Sequence, residues 1–164
     1  MYDHIIPPFT RSLKALDAIL TKAEAHCAAK KIDPAVMVSQ RLAVDMLPFT
    51  RQVLIACDHA KGASARLAGA EVPSFPDTET TFADLHARIA KTLDFIAGFT
   101  PDSYADAAAR TITIKAGGHD MAFPAATYLA SYAVPNFYFH MTTAYAILRH
   151  NGVELGKGDF IGAP

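Results

Sequence analysis

Apolar residues recur at intervals of three and four in four separate segments of the chain. The first segment runs Phe9, Leu13, Leu16, Leu20, Ala23, Cys27, and the second Phe49, Val53, Ala56, Ala60, Ala63, Leu67. The third runs Phe82, Leu85, Ile89, Thr92, Ile96, and the fourth Ala133, Phe137, His140, Ala144, Ile147. A 3–4 repeat places all members of a segment on one stripe of a helix. Helices are therefore predicted near residues 8–30, 48–69, 80–98 and 125–151. Local punctuation agrees. Pro7-Pro8 and Pro48 suit first helical turns, where the missing N–H is not needed. Gly69 suits a left-handed stop, and "PDTETT" before Phe82 offers N-cap oxygens and negative charge. Arg149-His150-Asn151-Gly152 ends the last helix with cations and then a glycine.

The connections break the helical period. Residues 31–47 have room for a short extra helix after Asp33-Pro34. In "RTITIKAGGHDMAF", Ile112 and Ile114 alternate with threonines, Gly117-Gly118 makes a turn, and Met121 and Phe123 return. This reads as a β-hairpin or extended insert before the last helix. The tail "VELGKGDFIGAP" reads as surface chain anchored by Phe160 and Ile161. Together these elements predict an all-α four-helix bundle, residues 1–164 forming one domain.

Composition narrows the function classes. The 164 residues carry 15 Lys and Arg against 16 Asp and Glu, with a net charge of -1 and no basic patch, which argues against nucleic acid. No apolar run approaches the length of a membrane span, and the first residues lack the pattern of a signal peptide. Cys27 and Cys57 form no C-x-x-C pair. Reduced thiols and a cytoplasmic location are the expectation. "GG" at 117–118 is followed by no phosphate-loop lysine, and no G-x-S-x-G occurs.

The chemistry points to the fourth stripe. His140 occupies a core position of it, and a buried imidazole must find a hydrogen-bond partner. Tyr128, Tyr132, Asn136 and His140 also form one polar ridge, because residues four apart rotate by only about 40°. Pro135 interrupts that ridge and predicts a kink with a freed carbonyl. The residues leave three roles open for His140: metal ligand, catalytic base, or hydrogen-bonded core residue. On the second helix Cys57 and His59 fall on opposite flanks of the stripe, about 80° to either side, with Gln52 on the His59 flank and Asp58 pointing away. A solvated flank is the ordinary expectation for His59. Asp58 and Lys61 read as an ordinary surface pair.

The order of elements, with "MYDHIIPPFTRSLKALDAIL", "RQVLIACDHAKGASARLAG" and "NFYFHMTTAYAILRHNG", resembles the DinB/YfiT-like helical-bundle superfamily over nearly the whole chain. The likeness is to a bacterial branch of small dimeric proteins assigned to a domain of unknown function. It implies the four-helix bundle and a homodimer. Many members bind a divalent metal through three histidines, one from the second helix and two from an H-x-x-x-H pair in the last. Some are thiol-dependent transferases or isomerases. Here His140 matches the second histidine of the pair, Asn136 stands in place of the first, and His59 is the second-helix candidate. The resulting expectation is a small-molecule-binding relative with pocket residues Tyr128, Tyr132, Asn136, His140 and Gln52 and no cofactor. The alternative is a divalent-metal-dependent enzyme using His140 with His59, Asn136 or Cys57.

Overall fold

A computed structural model describes residues 1–162. Four long helices form the bundle: α1 (Ile6–Lys30), α3 (Phe49–Ala68), α4 (Phe82–Ala97) and α6 (Val134–His150). Short helices α2 (Pro34–Val38), α5 (Ala125–Tyr128) and α7 (Lys157–Ile161) decorate it. The long helices pack in a ring, α1 on α4, α4 on α3, α3 on α6 and α6 back on α1. Phe9 of α1 and Phe137 of α6 close that ring, with ring centroids 4.5 Å apart. The core is one cluster that includes Phe9, Leu16, Phe49, Leu67, Leu85, Ile96 and Phe137. It covers the predicted stripes of α1, α3 and α4.

The ends follow the local chemistry. Thr81 caps α4 in a reciprocal box with Asp84, whose carboxylate accepts from the Thr81 amide at 2.9 Å. These contacts, the Thr80 backbone amide foremost, hold the Asp84 carboxyl below the usual carboxylate range. Gly69 ends α3 at φ 72 and Gly152 follows α6 at φ 90, both left-handed positions open to glycine. Asp33 accepts from the Ala35 amide at 2.9 Å and starts α2 where the Asp-Pro step predicted it.

The insert is a two-stranded antiparallel hairpin, β1 (Thr111–Ala116) with β2 (His119–Pro124). Ile112 faces Phe123 and Ile114 faces Met121 across the ladder. Gly117 and Gly118 both take positive φ, 57 and 82, as a two-residue hairpin turn of the twisted kind requires. In the tail, Phe160 packs edge-on against Tyr145 at 5.8 Å, whereas Ile161 stays exposed. Of the two expected anchors, Phe160 alone is covered.

The last helix departs from the expected continuous element. Between α5 and α6 the chain makes one π-helical turn, Leu129–Ala133, and Pro135 sits in the first turn of α6. The break predicted at proline is thus realised as a widened turn that restarts the helix. The core stripe of α6 is Phe137, Met141, Ala144 and Leu148, all at most 1% exposed. His140 lies one position to the side and is half-buried. Of the predicted stripe, Ala133, Phe137, Ala144 and Ile147 are all fully buried, and only His140 departs from it: it is half-buried, and Met141 beside it takes the core position.

A neutral histidine seam and a charged seam on α3

Helix α3 carries polar groups to two neighbours. Towards α6 it presents Gln52 and His59. His140 Nδ1 lies 2.7 Å from Gln52 Oε1, and Gln52 Nε2 donates to the Leu47 carbonyl at 2.9 Å. Gln52 is 1% exposed, so both ends of its amide need partners and both have them. His59 is half-buried rather than solvated, and its ring stacks on His140 with centroids 5.8 Å apart and planes 16° apart. Tyr132 meets the His59 ring edge-on at 5.9 Å. Tyr132 also stacks on Tyr128 at 5.9 Å, and the Tyr128 hydroxyl accepts from Arg66 at 3.3 Å. Asn136 Nδ2 donates to the Tyr132 carbonyl at 2.7 Å.

The sequence-predicted residues are therefore brought together in one seam: Gln52, His59, Tyr132, Asn136 and His140, with Tyr128 buried behind them. Among the described residues no carboxylate lies within ion-pair distance of either imidazole, and Asp58 acts on His59 only from further off. Burial, and then the neighbouring His140, push the His59 pKa down to about 4. Burial lowers that of His140 as well. Both rings are neutral at pH 7.

Cys57 belongs elsewhere. It is fully buried on the α4 side, and burial above all pushes its thiol up to about 12, with a Thr92 hydrogen bond opposing. A thiol in that state is neither nucleophile nor ready ligand. It cannot partner His140.

The other seam was not foreseen. Arg88 of α4 is 3% exposed and sits among three carboxylates. It donates to Glu79 at 2.8 Å, to Asp58 at 3.1 Å, to Asp77 at 3.3 Å and to the Pro76 carbonyl at 3.0 Å. Lys61 is 4% exposed and pairs with Asp58 at 2.8 Å. Phe75 lies between the ammonium groups of Lys61 and Lys91, each 4.1 Å from the ring centroid. Asp58, although 42% exposed, thus turns towards α4, and its pair with Lys61 belongs to a network around two buried cations. An arginine inside an apolar stripe, Leu85-Arg88-Ile89-Thr92, beside the acidic "PDTE" run, was the available signal.

The donor set at His140 does not fit a three-histidine metal centre. The first position of the last-helix pair is Asn136, whose amide is committed to the Tyr132 carbonyl. Among the described residues no group of three or more His, Cys, Asp or Glu is placed to share a metal.

Two cavities stand out, and neither touches His140. The larger, about 1180 Å³, is a half-open groove between the start of α1 and α7, lined by Pro7, Arg11, Ser12, Tyr138 and Phe160. Tyr138 and His140 are two residues apart on α6, roughly 160° around the helix, so this groove opens on the far side. The second, about 250 Å³, lies over Phe75 and Lys91. The converging polar groups and the lowered histidine pKa values make the α3–α6 seam the candidate site, although neither of these two cavities opens on it.

The chain matches the family model described as a domain of unknown function, DUF1993, over residues 1–161. It is similar to a crystal structure described as a DinB family member protein from Shewanella denitrificans, solved at 1.83 Å. The identity is 45%, the TM-score 0.90, and the match covers 99% of this chain and 92% of that one. No curated protein matches.

Proposed function

Because the chain belongs to the DUF1993 family and has a DinB-like helical bundle, we propose that its α3–α6 seam is a small-molecule-binding site built on uncharged imidazoles. In this reading the site is a relative of the three-histidine centres that has exchanged metal coordination for hydrogen bonding. The observation that carries it is the contact from His140 Nδ1 to a fully buried Gln52, beside a second imidazole kept neutral by burial. A purely structural network would be expected to close on itself. Here Nδ1 is engaged, whereas Nε2 has no protein partner among the described residues and is not sealed from solvent. The site can thus accept a hydrogen bond or a proton from something that is not protein.

Two features shape what could bind. The seam is lined by Tyr132 and His59, with Phe139 on its outer side, 55% exposed and edge-on to His140 at 5.2 Å. The walls are aromatic, and the cation near them, Arg66, donates to the Tyr128 hydroxyl behind the seam, so a neutral, flat molecule suits the walls better than an ion. Metal content of protein made without an affinity tag, joined to a fragment screen read at the histidine signals, tests the proposal. The expected result is no stoichiometric transition metal and ligands that move His140 and His59 together. Stoichiometric zinc, nickel or manganese that disappears in His140→Ala would overturn it.

A homodimer is part of the same proposal. The support is an apolar composition, 51% by residue, together with the half-open groove along α1, which carries Asp3 beside Arg11 and Lys14 and so can meet its own copy with opposite charges. Sedimentation at tens of micromolar tests it, and a monomer would count against it. No described helix is long and apolar enough to cross a membrane.

A further inference from the structure

The hydrogen-bond chain behind His140 has a direction. A backbone carbonyl can only accept, so the group that Gln52 turns towards the Leu47 oxygen, 2.9 Å away, must be its NH2. The other end of the amide, Oε1, then faces His140 Nδ1 at 2.7 Å, and an amide oxygen can only accept. Nδ1 must therefore carry a hydrogen. Reversing the amide would set oxygen against oxygen at Leu47 and NH2 against a ring nitrogen, breaking one bond to keep the other. Gln52 has no solvent to absorb that cost, because it is 1% exposed.

We propose that Gln52 is a positioning residue that locks His140 in its Nδ1–H form and aims an unprotonated Nε2 at the bound molecule. That form is the minor tautomer of free histidine, so the protein selects it against the intrinsic preference of the ring. The ligand class follows, and here the proposal rests on the small-molecule reading above. A lone pair at Nε2 selects a neutral molecule bearing an O–H or N–H donor, such as a phenol or an azole. It disfavours a carboxylate, which offers only acceptors to that nitrogen; the nearest cation, Arg66, is engaged by the Tyr128 hydroxyl behind the seam. Leu47 closes the segment 39–48 between α2 and α3, where Leu42, Val44 and Leu47 are exposed. The anchor of the relay thus lies at the surface of the protein and not in the depth of the bundle.

The experiment uses the full chain labelled with 15N at histidine, at pH 7.5, with His140 assigned by the signals lost in His140→Gln. Long-range proton–nitrogen spectra report which ring nitrogen is protonated. The expected result is one form, protonated at Nδ1; an Nε2–H pattern or exchange-averaged nitrogens would overturn the proposal. In Gln52→Met, which keeps side-chain volume, the tautomer should average or invert. If that variant folds and His140 remains wholly Nδ1–H, Gln52 is not the positioning residue. Should it fail to fold, the wild-type spectrum still decides. Phenol then serves as a donor probe and benzoate as an acceptor probe. Phenol should move Nε2 at least tenfold more effectively than benzoate. Benzoate matching phenol, or neither moving His140, overturns the ligand class while leaving the tautomer result intact, so failure of the binding reading and failure of the relay are told apart.

Discussion

Asp58 and His59 are neighbours in sequence, yet they serve opposite seams of α3. Asp58 faces α4 and joins a network of formal charges in which Arg88 meets three carboxylates. His59 faces α6 and stacks on another neutral ring. Both seams are polar and partly buried, but the charged seam is held by ion pairs within itself, even though Glu79 Oε2 and Arg88 Nε stay without a hydrogen bond. Its carboxylates hold the Arg88 guanidinium while that guanidinium ties the 76–79 loop to α4. The neutral seam keeps ring nitrogens in reserve, His140 Nε2 and those of His59 having no protein partner among the described residues. Buried charge must be neutralised locally or it unfolds the protein, so charged groups inside a bundle tend to be structural. A neutral imidazole costs less to leave half-engaged, which is what a binding site needs.

The sharpest way to break this contrast is to remove Arg88. Arg88→Met removes the counter-charge these carboxylates share; Asp58 keeps Lys61 and Asp77 keeps Arg51, whereas Glu79, 11% exposed, loses its guanidinium partner. Breaking a fully buried ion pair costs about 3–5 kcal/mol, and the exposure of Asp58 and Asp77 holds the expected loss to the lower end, about 3 kcal/mol. Urea unfolding should show a loss of that order, with the 15N histidine spectrum of the α3–α6 seam unchanged in folded protein. A loss below about 1 kcal/mol would place the network among ordinary surface ion pairs.

Next in size is His140 itself. His140→Ala removes one hydrogen bond and leaves a half-buried space, not a sealed cavity. The expected cost is about 1–2 kcal/mol, below that of Arg88→Met, with His140→Asn smaller still. The same urea measurement ranks all three. If His140→Ala exceeded Arg88→Met, the histidine seam would be the structural one and the contrast would invert.

The third test uses pH. The folded-state pKa of His59 is depressed from 6.5 to about 4, chiefly by burial. The unfolded chain therefore takes up the proton first. The stability due to a neutral His59 is complete above about pH 6.5 and drains away as pH falls towards 4. His140, lowered by burial as well, adds a slope of the same sign. In His59→Gln the loss of urea midpoint between pH 6.5 and 4.5 should be visibly smaller than in the wild type. Equal slopes would mean that His59 is solvated after all.

These differences also explain what could be read from the chain. The four helices and the hairpin were legible because repeats of 3–4 and 2 report which faces are buried, and because Thr81, Gly69 and Gly117-Gly118 are local signals. The ridge from Tyr128 to His140 was legible as a ridge. Its contents were misjudged in two places. The π-helical turn at Leu129–Ala133 lies just before the stripe of α6, and the residue that takes the core place there is Met141, not His140; nothing in the local apolar pattern announces such a turn. His59 was expected in solvent because a helix flank is exposed only until a neighbour covers it, and Tyr132 and His140 lie 73 and 81 residues further on. The Arg88 network failed for the same reason in reverse: an arginine within an apolar stripe is intelligible only once Asp58, Asp77 and Glu79 are seen around it.

A third histidine sharpens the comparison with the smallest effect. His86 lies on α4 and reaches across to α1, with Nδ1 2.5 Å from Asp17 and Nε2 3.2 Å from Glu24. Burial alone would lower its pKa, but hydrogen bonds to Asp17 and then Glu24 outweigh that and raise it above 6.5. The sign is therefore opposite to that of His59. A raised folded-state pKa contributes stability that is complete below about pH 6.5 and is lost as pH rises through the raised value. The side chain is 26% exposed and its partners 45% and 44%, so solvent and salt screen much of the interaction. The expected contribution is below about 1 kcal/mol, the range of exposed ion pairs. Urea midpoints of wild type and His86→Gln should differ at pH 5.5, with wild type the more stable, and converge by pH 8.5. High salt at pH 5.5 should shrink the gap. A gap that persists at pH 8.5 would make the contact one of packing, and the two histidine environments would then differ in burial alone, not in charge.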